Sequence, residues 1–412
     1  MDAAMVERLS SGEGWALLQS LPPYDESTAL PLQERLREAF DPDLVAAALG
    51  QSRLRARAVD KFGDFAVGML FTPDGLEQAT RLALAARHAH RFAAADVREV
   101  YDLGCGIGSD AMAFAGLDLL VRAVDADPAT ARVAEANLRH WPSARVTCAR
   151  AEDVRLPLGE AGRHLGVWLD PARRVEGVAD VRGRAKRIFS LDAISPSWTD
   201  VQEFAAQVPA AGAKLSPAFP HAALPPGAEA QWSSWHGEVL ECVVWWKALA
   251  TQPGRTAAVC SAHATHVVTE AHAAPATGRP PLPSVAAVDD WLYEPDRAVI
   301  RAGLTGALLA AVDGAELGAG VGYVTSPAAY DIPWARRYRV VEAMPLSPKA
   351  LSRWLRDHGH DRVTIKKRAV TVDADLLRRQ LKMTGRGKGG SEATLVVTRV
   401  AGTQVALVVT PA

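Results

Sequence analysis

Hydrophobic residues in the first ninety positions recur at helical intervals, which predicts an all-helical start of the chain. One predicted helical face, in the stretch after Pro73, contains Leu76, Ala79 and Ala83. Thr72 or Asp74 is placed to cap the start of this helix. The predicted helices are residues 31–40, 41–57 and 74–91.

From Asp96 the pattern changes to short apolar runs that are separated by helical stretches. Such alternation predicts a parallel sheet with crossover helices. A long irregular stretch is expected at residues 170–207, followed by a strand that ends near Lys214. Two later apolar runs, 239–246 and 256–260, have the separation of an antiparallel pair. The predicted parallel strands are residues 100–103, 119–124, 146–148 and 165–169.

Residues 269–284 are the best linker in the chain, because they contain Pro275, Pro280, Pro281 and Pro283. Helices and strands alternate again beyond this segment, which predicts a separate α+β domain. The predicted elements of that domain are residues 304–312, 337–344, 348–358, 362–368, 373–381, 393–400 and 404–409.

Composition narrows the class of protein. The chain has 412 residues, of which 49% are hydrophobic and 23% charged, so neither a disordered nor a fibrous protein is expected. No apolar run approaches the ~20 residues that cross a bilayer, and the N-terminus does not resemble a signal peptide. We therefore expect a cytoplasmic protein without membrane association. The four cysteines are scattered, so neither a disulfide framework nor a metal site is expected.

The net charge of −1 hides an uneven distribution. Residues 336–412 contain 16 Lys and Arg against 6 Asp and Glu, whereas the residues before them are acidic overall. This asymmetry fits a polyanionic partner, and it equally fits a solvated basic face. Charge alone leaves both interpretations open.

The sharpest local signal is a glycine-rich turn between the first predicted strand and a helix. Gly104, Gly106 and Gly108 stand at alternate positions, where glycine lets the backbone approach a ligand closely. The second predicted strand ends at Asp125, 21 residues after Gly104, where a carboxylate accepts both hydroxyls of a ribose. A strand-to-helix turn without a ligand is the alternative.

The spacing of the glycines distinguishes two kinds of nucleotide-binding turn. Dinucleotide fingerprints are G-x-G-x-x-G, whereas this turn is G-x-G-x-G and follows Asp102, which would repel a pyrophosphate but attract an ammonium group. The turn resembles the first motif of class I S-adenosylmethionine-dependent methyltransferases. The resemblance implies a Rossmann-like sheet of seven strands and S-adenosyl-L-methionine as cofactor. It also implies that Asp102 and the three glycines surround the methionine portion and that Asp125 binds the ribose.

In the same family, the segment that contacts adenine follows the third strand. This position falls in residues 148–153, where the resemblance makes Glu152 the candidate, with Asp153 next to it. Many members have an Asp where Arg150 stands here. An ordinary surface acid is the other interpretation of Glu152.

The fourth predicted strand ends in Asp170-Pro171-Ala172-Arg173-Arg174. The sequence resembles the Asp-Pro-Pro-aromatic motif of methyltransferases that act on amino groups of bases. It differs because Ala172 replaces the second proline and Arg173 replaces the aromatic residue. Asp170 retains the capacity to orient or deprotonate a nucleophile. The predicted catalytic residues are Asp170, Pro171 and Arg173, and the two arginines fit either an anionic substrate group or an internal salt bridge.

A closer resemblance extends from Phe71 to the end of the chain. It is to a bacterial family of methyltransferases with a helical N-terminal region and a C-terminal THUMP-like domain. It is carried by Phe71-Thr72 and by residues 76–80, 170–174, 196–198, 214–217, 227–230 and 365–368. The resemblance implies a division into a helical region (1–92), a methyltransferase domain (93–268), a linker (269–284), a ferredoxin-like region (285–335) and a basic THUMP-like domain (336–412).

THUMP domains accompany RNA-modifying enzymes, and the basic C-terminus agrees with RNA as the polyanion. The resemblance therefore implies methylation of a base nitrogen of a structured RNA, such as transfer or ribosomal RNA. Two alternatives remain open. One is methylation of a protein or small molecule, and the other is a non-catalytic RNA-binding protein that retains the cofactor pocket.

Overall fold

The computed structural model describes residues 1–173, 191–273, 279–382 and 391–412, which form two compact units. The first unit comprises Met1–Phe219, Pro225–Ala228 and Val243–Thr251. The second comprises Pro220–Leu224, Glu229–Cys242 and Gln252–Ala412.

The first unit begins with helices, as the hydrophobic pattern predicts. Their bounds are α1 (Ala3–Ser10), α2 (Gly12–Ser20), α3 (Ala29–Leu36), α4 (Pro42–Phe62), α5 (Pro73–Gln78) and α6 (Leu82–Ala94). The single helix predicted for residues 74–91 is wrong, because the chain breaks between α5 and α6. At the end of α5, Lys61 donates hydrogen bonds to the carbonyls of Leu76, Glu77 and Ala79, which gives a partner to carbonyls that the end of the helix leaves open. The Thr72 side chain caps α5.

A parallel sheet follows, with strands β1 (Glu99–Leu103), β2 (Leu120–Asp125), β3 (Ala144–Cys148), β4 (Leu165–Leu169) and β7 (Ala210–Leu215). These strands lie in the order β3-β2-β1-β4-β7. The four parallel strands predicted from the sequence are thereby confirmed. Within the described residues the sheet that contains β1 has nine strands, two more than the seven that the resemblance implies.

Helices α7 (Ser109–Ala115) and α8 (Pro128–Leu138) connect these strands. The short strands β5 (Ala172–Arg173) and β6 (Ile194–Ser195) pair with each other. The stretch 170–207 is not irregular throughout, because α9 (Trp198–Gln207) begins at a capping box formed by Ser197 and Asp200. Large aromatic residues fill the core of this unit, including Phe92, Phe114, Trp168 and Trp245.

The second unit contains β8 (Glu229–Trp235), β10 (Gly254–Cys260) and β11 (Thr265–Thr269), and strand β9 (Glu238–Lys247) begins in it. The antiparallel pairing predicted for residues 239–246 and 256–260 is wrong. Instead, β10 pairs in parallel with β8 and antiparallel with β11. Strand β8 has no continuous apolar run that would predict it, since Glu229, Gln231, Ser233 and Ser234 are buried polar residues.

The rest of the second unit contains a seven-stranded sheet in the order β13-β14-β12-β15-β18-β17-β16. Its strands are β12 (Trp291–Pro295), β13 (Ala315–Glu316), β14 (Val324–Ser326), β15 (Ala335–Pro345), β16 (His360–Lys367), β17 (Ser391–Val400) and β18 (Thr403–Pro411). Its helices are α10 (Glu270–Ala273), α11 (Arg297–Arg301), α12 (Thr305–Ala311), α13 (Pro348–Asp357) and α14 (Ala374–Gln380). The predicted α+β pattern is confirmed. In the described part of the chain, none of the helices combines the length and the apolar character needed to cross a membrane.

Candidate functional site

The glycine turn lies at the carboxyl end of β1 and leads into α7. All three glycines have positive φ, with values of 87° at Gly104, 55° at Gly106 and 87° at Gly108. A Cβ on Gly104 would lie 2.6 Å from the carbonyl oxygen of Asp170. Glycine at position 104 therefore brings the turn into contact with the end of β4, so two of the predicted motifs are neighbours.

Asp102 lies one residue before the end of β1, and only 1% of its surface is exposed. Within the described residues, neither carboxyl oxygen has a hydrogen-bond partner. Burial raises the pKa of this carboxyl well above its usual range, and the charges of Asp110 and Asp170 raise it further. A bound cation would remove this cost, so the residue fits the ammonium group of the expected cofactor.

Asp125 lies at the end of β2 and supports the glycine turn. Its Oδ2 accepts a hydrogen bond from the N–H of Gly106 at 3.0 Å, and its Oδ1 accepts one from the N–H of Asp127 at 2.9 Å. Burial raises the pKa of this carboxyl. Each carboxylate oxygen has a second lone pair, so the side chain still has acceptor capacity for ribose hydroxyls. Its role on the ribose stays a prediction.

Glu152 lies in a short 3₁₀ helix, Ala151–Asp153, that follows β3. Its Oε1 is 3.4 Å from both the Arg150 guanidinium and the Ser195 hydroxyl. The N–H of Ala149 donates to the carbonyl of Asp125 at 3.0 Å, which ties the ends of β2 and β3 together. Glu152 therefore lies beyond the same sheet edge as Asp125, and its contact with adenine stays a prediction.

Asp170 forms an ion pair that the sequence did not reveal. Its Oδ2 lies 2.5 Å from the Nζ of Lys214, with 31% of the Asp170 side chain exposed and 13% of the Lys214 side chain. The N–H of Asp170 donates to the carbonyl of Leu103, which fixes the backbone beside the glycine turn. Of the other predicted catalytic residues, Pro171 follows directly and the backbone of Arg173 lies in β5. Arg174, the second arginine of this motif, lies outside the described residues.

A buried polar chain continues from Lys214 within the first unit. Lys214 donates to the Thr80 hydroxyl at 2.9 Å, and Thr80 hydrogen-bonds Asp110. Asp110 Oδ1 lies 2.8 Å from His88 Nδ1. Burial opposes ionisation of Asp110, but the hydrogen bond and charge of His88, the charge of Lys214 and the hydrogen bond from Thr80 together outweigh burial and lower its pKa. The sequence indicates no functional role for Thr80, His88 or Asp110, because their contacts join positions that are distant in the chain.

Side chains that could bind a metal are not clustered in the part of the chain that the structure describes. Among the residues that it describes, no group of three or more His, Cys, Asp or Glu side chains is arranged to hold a metal ion. Cys105, Cys242 and Cys260 are buried free thiols, and Cys148 is exposed.

Asp102→Asn is expected to stabilise the ligand-free protein by about 1 kcal/mol at neutral pH. The pKa of Asp102 is raised in the folded state, so the folded protein binds that proton more tightly than the unfolded chain does. Its contribution to stability therefore falls as pH rises above the unfolded carboxyl pKa, and Asn removes this loss. Urea unfolding between pH 5 and 8 measures the effect. Asp153→Asn, at an exposed position, is the control, and equal pH slopes in wild type and Asp102→Asn would contradict the prediction.

Comparison with known proteins agrees with this geometry. A family model for a THUMP domain-like region matches residues 335–411, and a domain of unknown function, DUF8688, matches residues 2–58. Two proteins of Mycobacterium tuberculosis strains, each named an uncharacterized S-adenosylmethionine-dependent methyltransferase, are 28% identical over 357 residues, covering 84% of this chain and 90% of theirs.

A solved structure shares the fold. The crystal structure of a putative methyltransferase from Porphyromonas gingivalis W83 matches with a TM-score of 0.67 and 19% identity. The match covers 95% of this chain and 100% of that one. These comparisons confirm the resemblance to S-adenosylmethionine-dependent methyltransferases with a THUMP-like C-terminus, and with it the fold class, the enzyme class and the cofactor that the sequence predicts.

Proposed function

We propose that this protein, a homologue of S-adenosylmethionine-dependent methyltransferases, methylates a base nitrogen of a structured RNA such as transfer or ribosomal RNA. The observation that carries the catalytic part is the contact between Gly104 and the backbone of Asp170. Because of this contact, the glycine turn lies beside Asp170, the predicted catalytic residue, at the carboxyl edge where parallel sheets bind their ligands.

Three residues of the chain bind different parts of the cofactor. Asp102 faces the ammonium group of the cofactor, Asp125 accepts hydrogen bonds from the ribose, and Glu152 binds at the adenine end. When bound, S-adenosyl-L-methionine supplies an activated methyl group. The protein's main contribution is then proximity and orientation, because the methyl carbon and the acceptor nitrogen must lie in line.

On the side of the methyl acceptor, Asp170 accepts a hydrogen bond from an N–H of the target base. This bond orients the nitrogen lone pair toward the methyl group. Pro171 follows with a fixed φ and no N–H of its own. Arg173 completes this proposed set by pairing with an anionic group of the substrate, for which a phosphate of the RNA is suited.

The RNA partner is supported by the chemistry of the THUMP-like region. The Trp354 ring stacks on His358 with centroids 3.9 Å apart and planes 14° apart, and it lies parallel to the His360 ring at 5.9 Å. Arg353 and Arg356 are exposed on the same helix, α13. Stacked rings beside exposed guanidinium groups suit unpaired bases and the phosphates that join them.

Reversing the charge of Arg353 and Arg356 together is expected to weaken RNA binding by about 10-fold or more at physiological salt, because both lose phosphate contacts. The slope of log affinity against log salt should also become shallower, by about one for each lost contact. Filter binding over a salt series measures both quantities. Arg163→Glu, an exposed arginine in the first unit, is the matched control. If the double variant binds as tightly as the control, α13 does not contact RNA.

Methyl transfer to RNA tests the proposed function. Total RNA from cells that lack the protein has vacant target sites, and it is fractionated and incubated with the enzyme and methyl-labelled S-adenosylmethionine. Label in one RNA class supports the proposal. Label only in protein or metabolites identifies a different substrate, and cofactor binding without transfer to any fraction identifies a non-catalytic protein.

A further inference from the structure

Lys214 enters the site through the register of the sheet. Leu169 on β4 pairs with Ala213 on β7, so Asp170, directly after β4, and Lys214, the second-last residue of β7, are neighbours at the carboxyl edge of the sheet. The distance of 2.5 Å between Asp170 Oδ2 and Lys214 Nζ is that of a charge-assisted hydrogen bond. A second bond from Lys214 to the Thr80 hydroxyl at 2.9 Å fixes the ammonium group.

Charged groups face Lys214 from four directions. Asp102 lies on β1, where burial raises its pKa and the Lys214 charge only partly opposes that rise; Asp110 lies on α7, and Asp170 follows β4. On α4, burial and, after it, the Lys214 charge lower the pKa of Lys61 to about 8. Within this group, Asp170 has its carboxylate within ion-pair distance of the Lys214 ammonium.

The Lys214 side chain is more buried than that of Asp170, and the ion pair is therefore shielded on the lysine side and open on the carboxylate side. A partly buried pair is screened less by salt than a surface pair. The lysine thus acts as the fixed partner, while the carboxylate keeps lone pairs that are accessible from solvent.

We propose that Lys214 is a positioning residue that holds Asp170 ionised and fixed, so that Asp170 accepts a hydrogen bond from the target amino group and does not remove its proton before transfer. This inference rests on the proposed function, and it narrows the acceptor to an exocyclic amino group of a base.

The chemistry explains why an ion-paired carboxylate suits this acceptor. A hydroxyl or thiol must lose its proton before it attacks, and pairing with an ammonium group makes a carboxylate a weak base. A neutral amino nitrogen needs no such step. Its lone pair forms the N–C bond while the S–C bond breaks and its electrons go to sulfur, which yields S-adenosylhomocysteine. The methylated nitrogen then gives its extra proton to water.

The first test does not depend on the substrate. Protein labelled with ¹³C at the aspartate carboxyl carbons is titrated by NMR, and the Asp170 signal is assigned by its loss in Asp170→Asn. In Lys214→Met the Asp170 titration is expected to move to higher pH, whereas Lys214→Arg keeps it near the wild-type midpoint. Lys247→Met, which removes a lysine bonded only to the carbonyls of Ala206 and Val208 in the described residues, leaves it unmoved. An unchanged midpoint in Lys214→Met overturns the proposal.

The second test measures methyl transfer to RNA. Lys214→Met is expected to lower kcat by about 10²-fold through loss of orientation, while KM for the cofactor changes much less. The acid limb of its pH profile should also move to higher pH, and Lys214→Arg should restore most of the rate. Wild-type kcat in Lys214→Met, or an unmoved acid limb, overturns the proposal. If wild-type protein transfers no methyl group to RNA, the proposed function fails, and the NMR titration still decides whether Lys214 controls Asp170.

Discussion

Asp170→Asn is expected to reduce methyl transfer to RNA by about 10³-fold, within the range that a positioned acid or base contributes. The amide presents one acceptor oxygen and two N–H donors in place of a carboxylate, and it no longer pairs with Lys214 as an anion. The target N–H therefore loses its fixed acceptor. Single-turnover transfer of labelled methyl groups to the RNA fraction that accepts them measures the loss.

Cofactor affinity separates this effect from a general loss of structure. Since Asp170 lies on the acceptor side, Asp170→Asn should bind S-adenosyl-L-methionine within a few-fold of wild type. Asp118→Asn, at an exposed position outside the predicted site, is the matched control and should keep wild-type transfer. Near-normal transfer by Asp170→Asn would remove this residue from the proposed mechanism.

Asp102→Asn is expected to weaken binding of S-adenosyl-L-methionine by about 10²-fold, which corresponds to about 2.7 kcal/mol. The buried carboxyl has no hydrogen-bond partner among the described residues, so a bound cation would compensate its charge. Asparagine keeps the shape but supplies no charge. Isothermal titration calorimetry of the cofactor with the two proteins measures the difference.

The same residue predicts a pH dependence with a definite sign. Because burial raises the pKa of Asp102, the free protein holds a proton there at any pH below that raised pKa, and the cationic cofactor displaces this proton. Affinity should therefore rise with pH until the pH exceeds that raised pKa, with release of a proton on binding. Calorimetry in buffers of different ionisation enthalpy detects the proton. Asp118→Asn, an exposed position with a φ of 62° that Asn tolerates, should behave as wild type. Identical pH dependence in Asp102→Asn would show that another group titrates.

The parts of the site that the sequence revealed are those whose signal is local. Gly104, Gly106 and Gly108 form one continuous turn, and Asp125 ends the next strand at a spacing that the fold imposes. The four parallel strands were predicted because buried strands appear as continuous apolar runs. In the C-terminal region, alternating elements of ordinary length were equally visible.

Other parts depend on contacts between distant positions. The hydrogen bond from Lys214 to Thr80 joins residues 134 positions apart, and only the β4–β7 register reveals the pair between Lys214 and Asp170. Parallel strands end at a common edge, so a lysine near the end of β7 is a signal that the sequence contains. The carbonyls at the end of α5 depend likewise on a distant residue, since their partner Lys61 lies 15 to 18 positions away.

The central claim, that the acceptor is a base nitrogen of RNA, is tested most directly by nucleoside analysis. RNA from cells lacking the protein is treated with enzyme and isotopically labelled S-adenosyl-L-methionine, digested to nucleosides and analysed by mass spectrometry. We expect one labelled nucleoside whose added methyl mass stays with the base when the glycosidic bond is cleaved, and which is absent from the Asp170→Asn reaction. A label that stays with the ribose, or RNA without label under conditions where the protein binds the cofactor, would contradict the claim.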